Sequence, residues 1–130
     1  GGGLVPGSVL LLAGDPGIGK STLLLQVACR LAAENRVYYI SGEEGLEQVR
    51  LRGRRLQLSD SRLELASNSE MDAILATLQS DPRPQIAIID SIQTMHLQAL
   101  ESAPGTVAQV RQCALELIRL AKKHDITVIM

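Results

Sequence analysis

Residues 14 to 21 read Gly-Asp-Pro-Gly-Ile-Gly-Lys-Ser, a complete G-x-x-x-x-G-K-[ST] phosphate loop, and no other feature constrains the fold as strongly. The apolar run Val9-Leu10-Leu11-Leu12-Ala13 precedes it, and a segment with helical spacing follows it. Strand, glycine-rich turn and helix in that order are the context in which this pattern cradles phosphates, whereas a chance Gly-rich turn needs neither neighbour. Backbone N–H groups converge on phosphate oxygens only where side chains do not block them, and Gly14, Gly17 and Gly19 supply that clearance. The positive end of the following helix dipole faces the same point.

The whole stretch Gly14, Asp15, Pro16, Gly17, Ile18, Gly19, Lys20, Ser21 and Thr22 is therefore expected to bind a nucleoside triphosphate, ATP in the first instance. Lys20 is expected to reach the β- and γ-phosphates as a point charge, and the Ser21 hydroxyl to ligate Mg²⁺. Thr22 is placed toward the α-phosphate.

The rest of the chain alternates apolar strands with amphipathic helices, the pattern of βαβ units and a parallel sheet, so the fold class is α/β. Helices are expected over 20–33, with Leu23, Leu24, Val27, Ala28 and Leu31 inward, over 46–57, after Ser69, and over 107–123, with Val110, Ala114, Leu117 and Ala121 inward. Strands are expected at Val37–Ile40, Leu63–Ala66, Ile86–Asp90 and Ile126–Met130. Asp81-Pro82-Arg83-Pro84 ends the third helix, and Pro104-Gly105 marks a loose stretch before the last. With 45% hydrophobic residues, no Phe or Trp, and Tyr38 and Tyr39 as the aromatics, the core must be built from aliphatic side chains. Such cores suit a sheet covered on both faces.

Two further segments bring carboxylates to strand ends. Gln85-Ile86-Ala87-Ile88-Ile89-Asp90 is an apolar strand ending in an acid, as a Walker B strand does. If it neighbours the first strand, Asp90 lies beside the phosphate loop and can hold Mg²⁺ through a water. Ser41-Gly42-Glu43-Glu44 follows the second strand and puts two carboxylates at the edge where open α/β sheets bind ligands. One of them can polarise an attacking water, being ionised at neutral pH. Ser41 and Glu44 also fit a capping box for the next helix, which favours Glu43 as the catalytic base and leaves Glu44 as the alternative. The site expected from the residues is thus Lys20 and Glu43 for chemistry, with Ser21 and Asp90 for metal.

Other features narrow the function less. A net charge of −1 argues against a basic tail or a globally cationic nucleic-acid binder. Arg50, Arg52, Arg54 and Arg55 form the dense basic cluster, spread around a helix as a solvated face, with contact to DNA or a neighbouring subunit as the alternative. Cys29 and Cys113 read as reduced core thiols, and His96 and His124 as surface residues. No apolar stretch approaches the roughly 20 residues of a membrane span, so a cytoplasmic location is the default. One domain is expected at this length. The chain starts without Met and stops within Ile126-Thr127-Val128-Ile129-Met130, which reads as part of a longer protein.

Taken in order, Gly-Gly-Gly-Leu-Val-Pro-Gly-Ser, the phosphate loop, Ser-Gly-Glu-Glu, Ile-Asp-Ser-Ile-Gln-Thr and Leu-Glu-Ser-Ala-Pro-Gly resemble the RecA-like ATPases, and most closely the RadA/Sms family of bacterial DNA-repair proteins. The resemblance implies a three-layer P-loop NTPase sandwich with a mainly parallel central sheet. It implies residues 1–130 as an ATPase core truncated at its C-terminal end, without the family's zinc finger, Lys-Asn-Arg-Phe-Gly motif or Lon-like domain. It also implies Glu43 as the water-activating residue and a DNA-contacting loop at roughly 95–106. Mg²⁺-dependent, DNA-stimulated ATP hydrolysis follows, in a hexamer acting with a recombinase on single-stranded or branched DNA, including branch migration. A nucleotide-gated assembly module without motor activity is the alternative class, and a small-molecule kinase a weaker third. Gly45 departs from the Ser that the family often has there.

Overall fold

A computed structural model describes residues 6–11, 18–56 and 63–130. Its elements run β1 (Val9–Leu10), α1 (Ile18–Leu31), β2 (Val37–Ser41), α2 (Leu46–Arg55), β3 (Leu63–Ser67), α3 (Met71–Gln79), β4 (Ile86–Asp90), α4 (Val107–His124) and β5 (Thr127–Ile129), with a short 3₁₀ turn at Ile92–Thr94 after β4. The strands form one parallel sheet in the order β1-β5-β4-β2-β3. Among the described residues no helix is long and apolar enough to cross a membrane.

Alternation along β4 explains the three layers. Ile86 and Ile88 pack with Leu24, Leu25, Ala28 and Ala32 of α1 and its following turn and with Val49 of α2. Ala87 and Ile89 pack on the opposite face with Met71, Ile74 and Leu78 of α3 and Cys113, Leu117, Leu120 and Ala121 of α4. A strand buried on both faces has to be apolar throughout, and each Ile contributes about 2 kcal/mol by leaving water.

The expected element types hold, while details of facing and order differ. In α1, Leu23 is exposed and Leu25 buried, because the helix turns its Leu24–Leu25–Ala28–Ala32 side to the sheet. In α4 the buried face is Gln109, Cys113, Leu117, Leu120 and Ala121, with Val110 and Ala114 only partly buried. The strands bearing the phosphate loop and Asp90 are not neighbours: β5 lies between β1 and β4, pairing Val9 with Val128 on one side and Ile86 with Thr127 on the other. Thr127, Val128 and Ile129 are buried, so β5 belongs in the interior of the sheet and displaces β1 to the edge.

Candidate functional site

The carboxyl ends of the parallel strands share one edge of the sheet, and the residues singled out from the sequence gather along it or at the head of α1. Gly19, Lys20, Ser21 and Thr22 occupy the first turns of α1, Gly19 exposed and the other three half-buried. That turn carries no acid, so its N–H groups meet no competing carboxylate from the helix itself. Gly14, Asp15, Pro16 and Gly17, like the expected end of the second helix at residue 57, lie outside the described residues.

Ser41 and Asp90 are register partners at the ends of β2 and β4, and the Gly42 N–H donates to the Asp90 carbonyl at 2.9 Å. Asp90 is 8% exposed, and its Oδ2 accepts from the Tyr39 hydroxyl at 2.5 Å. Burial pushes the Tyr39 phenol well above its ordinary range, and the bond to Asp90 adds to the shift, so the phenol keeps its proton and acts as a donor. The Asp90–Ser91 peptide bond is cis.

Glu44 is held from three sides. Its N–H donates to Ser41 Oγ at 3.1 Å, its carbonyl accepts from the Ser67 hydroxyl at 2.9 Å, and its two carboxylate oxygens each accept from the Arg52 guanidinium at 2.5 Å. Those bonds raise the Arg52 pKa. Glu43, one residue earlier, is exposed and has no hydrogen bond or ion pair among the described residues. The Ser41–Glu44 contact is a turn and not the expected helix cap. The cap of α2 is Gly45, whose N–H donates to Gln48 Oε1 at 3.1 Å, and Glu44 is drawn instead to Arg52. A Cβ at Gly45 would meet open space, so the fold tolerates glycine there without requiring it.

Gly42 is crowded. A Cβ there would collide with Thr94 Oγ1 and lie 3.0 Å from Met95 Cε, so the turn after β2 is pressed against the turn after β4 and a larger residue would have to displace those side chains. Beyond it, Ile92, Met95 and Leu97 are buried. Gln109, 1% exposed, fastens this segment: its Oε1 accepts from Leu97 N–H at 2.9 Å, and its Nε2 donates to the carbonyls of Leu97 at 3.2 Å and Ser102 at 2.7 Å.

The sequence profile of a family described as AAA domain matches residues 1–130. The chain belongs to the AAA domain family. It is similar over its whole length to the DNA repair protein RadA of Haemophilus influenzae (49% identical over 130 residues, 28% of that protein), of Brucella abortus (50% over 135 residues, 29%) and of Escherichia coli (45% over 130 residues, 28%). This AAA domain thus spans less than a third of the length of those relatives, and its sheet is that of the RecA-like P-loop ATPases.

Among the described residues of the AAA domain, no cluster of three or more His, Cys, Asp or Glu could cage a metal. Ser21 and Asp90 are hard oxygen donors, and they suit Mg²⁺ that keeps waters and phosphate oxygens in its remaining positions. Three participants escaped the sequence reading: Tyr39, Arg52 as the partner of Glu44, and Gln109. Spacing could have found the last, because Gln109 lies one and two turns ahead of Cys113 and Leu117 on one helix face. The basic cluster is divided: Arg52 is half-buried with Glu44, Arg50 meets Glu47 at 3.0 Å on the surface, and Arg54 and Arg55 are exposed. Cys113 is fully buried, which raises its thiol pKa, whereas Cys29 is only half-buried. The histidines are partly exposed: His96 lies in a backbone bridge with Glu70, and His124 Nδ1 meets Arg83 while its Nε2 is buried without a partner.

Proposed function

We propose that residues 1–130 are the nucleotide-binding and hydrolysing core of a longer cytoplasmic DNA-repair ATPase. The observation that carries this reading is the edge shared by Asp90 and the Ser41–Glu44 turn, at which Glu44 is tethered by Arg52 and Glu43 is left unengaged. Lys20 offsets charge on the β- and γ-phosphates, and the N-terminal turn of α1 adds backbone donors. Ser21, directly, and Asp90, through water, would hold Mg²⁺, which would supply positive charge to offset that of the phosphates. Glu43 accepts the proton of the attacking water, and Glu44 braces the turn that presents it.

The relatives' description as DNA repair proteins supports action on DNA. The finer reading is a hexamer whose turnover is stimulated by single-stranded or branched DNA and which works with a recombinase during branch migration. Its DNA-facing loop is the segment 95–106, whose exposed part includes Gln98, Ala99, Glu101 and 103–106.

The test is ATP hydrolysis by the full-length protein with and without Mg²⁺ and single-stranded DNA, beside its Lys20→Ala variant. Mg²⁺-dependent, DNA-accelerated turnover that Lys20→Ala abolishes is expected. Slow, DNA-indifferent turnover with a nucleotide-dependent change in sedimentation would instead make the chain an assembly gate.

A further inference from the structure

Tyr39 stands outside every motif, yet it makes the one side-chain hydrogen bond that Asp90 receives among the described residues. Its ring is fully buried with Leu24, Leu25, Ala28 and Val49, on the side of the sheet that α1 covers. A ring wedged among those side chains fixes where its hydroxyl points. The Asp90 carboxylate, by contrast, turns about a terminal bond with a broad torsional minimum, and a strand end alone does not set its orientation.

A second acceptor lies close by. Glu44 is near enough to act on the Tyr39 phenol electrostatically, and so is Arg52. Because Arg52 engages both Glu44 oxygens, Asp90 is the acceptor left to the phenol. The resulting bond to an ionised carboxylate is of the strong, charge-assisted kind. It occupies Oδ2, while Oδ1 has no protein hydrogen bond among the described residues.

We propose that Tyr39 is a positioning residue for Asp90: its hydroxyl holds Oδ2 and thereby presents Oδ1 to the water shell of Mg²⁺ bound with the nucleotide. This rests on Asp90 as a Mg²⁺-holding residue, as assigned above. Groups that orient the donors around a metal change metal affinity when removed, and loss of this one is expected to weaken Mg²⁺ by about 10-fold.

The test is Tyr39→Phe in the full-length protein, which removes one oxygen and keeps the ring. Binding of a fluorescent ATP analogue is titrated with Mg²⁺ and in excess chelator, with thermal melting as the control for folding. The proposal expects about 10-fold more Mg²⁺ to be needed for half-maximal tightening, with Mg²⁺-free affinity unchanged. An unchanged Mg²⁺ requirement overturns it, and so does an equal loss of affinity with and without Mg²⁺, which is what a merely structural tyrosine predicts. Asp90→Asn is titrated alongside: if it too leaves the Mg²⁺ requirement unchanged, the assignment of Asp90 has failed, whereas a shift in Asp90→Asn alone rejects only the role of Tyr39. Should the Phe variant not melt cooperatively, 3-fluorotyrosine at position 39 keeps the shape and strengthens the donor. It is expected to lower the Mg²⁺ requirement, and no change overturns the proposal.

Discussion

The segments that leave β2 and β4 start side by side, at Ser41 and Asp90, and are held in opposite ways. After β2 the turn is short and tied down by charge and hydroxyls: Arg52 on the Glu44 carboxylate, Ser67 on its carbonyl, and Ser41 on its N–H. After β4 the chain runs longer, and it is pinned by buried Ile92, Met95 and Leu97 and by the carboxamide of Gln109. The difference shows how a fold can free one side chain by tethering its neighbour. The anchors of the first turn fall on Ser41, Gly42 and Glu44 and none on Glu43, which stays available to solvent. The second segment anchors its own apolar side chains, and what it leaves outside is a stretch of chain. The two meet where Gly42 lies under Thr94.

The sharpest way to break this contrast is to remove one charge at a time from the first turn. Glu43→Gln is expected to lower ATP turnover by about 10²- to 10⁴-fold with nucleotide binding intact, the range for loss of a general base. Glu44→Gln is expected to lose far less, and turnover measured beside analogue binding checks both. Equal losses would mean that tethering does not separate their roles.

A smaller effect tests the second segment. Gln109→Leu strands the buried Leu97 N–H and carbonyl, frees the part-buried Ser102 carbonyl, and is expected to cost about 3 kcal/mol in urea unfolding. Native-state hydrogen exchange should rise over 95–106 more than over 41–45. The smallest effect returns to the first turn: Arg52→Ala, which breaks a half-buried pair, is expected to cost about 1 kcal/mol, and Arg50→Ala, at an exposed pair, within about 0.5 kcal/mol. Comparison of the two denaturation midpoints decides whether the Glu44 tether is the stronger.

Much of this arrangement can be read along the chain because it is local. Ile86 to Asp90 is apolar at every position before its acid, and such a run of five is a doubly buried strand. The Ser41-Gly42-Glu43-Glu44 turn follows its strand as expected, and Val107–His124 differs from the expected helix by one residue. What escaped depends on which groups the fold brings together, and no periodicity records that. That β5 would enter between β1 and β4 is set by which strand is buried most completely, and no period records it. Arg52 looked like one of four solvated cations until folding brought Glu44 over it, eight residues back. The burial of Gln109 is legible from its place on the Cys113–Leu117 face, but the loop groups it fastens are not.

The place of β5 also bears on the order of events as the chain is made. Val9 pairs with Val128 and Leu10 with Ile129, so among the described residues β1 finds its lateral partner only when β5 has been synthesised. Until then β2, β3 and β4 can pair among themselves, but the strand leading to the phosphate loop has no place in the sheet. Pairing across so long a stretch is slow, because the intervening chain loses its freedom before the contact rewards it. A ribosome-bound intermediate stopped short of residue 127 should therefore hold a partly folded sheet that does not yet recognise nucleotide, and competence should arrive only once β5 can pair.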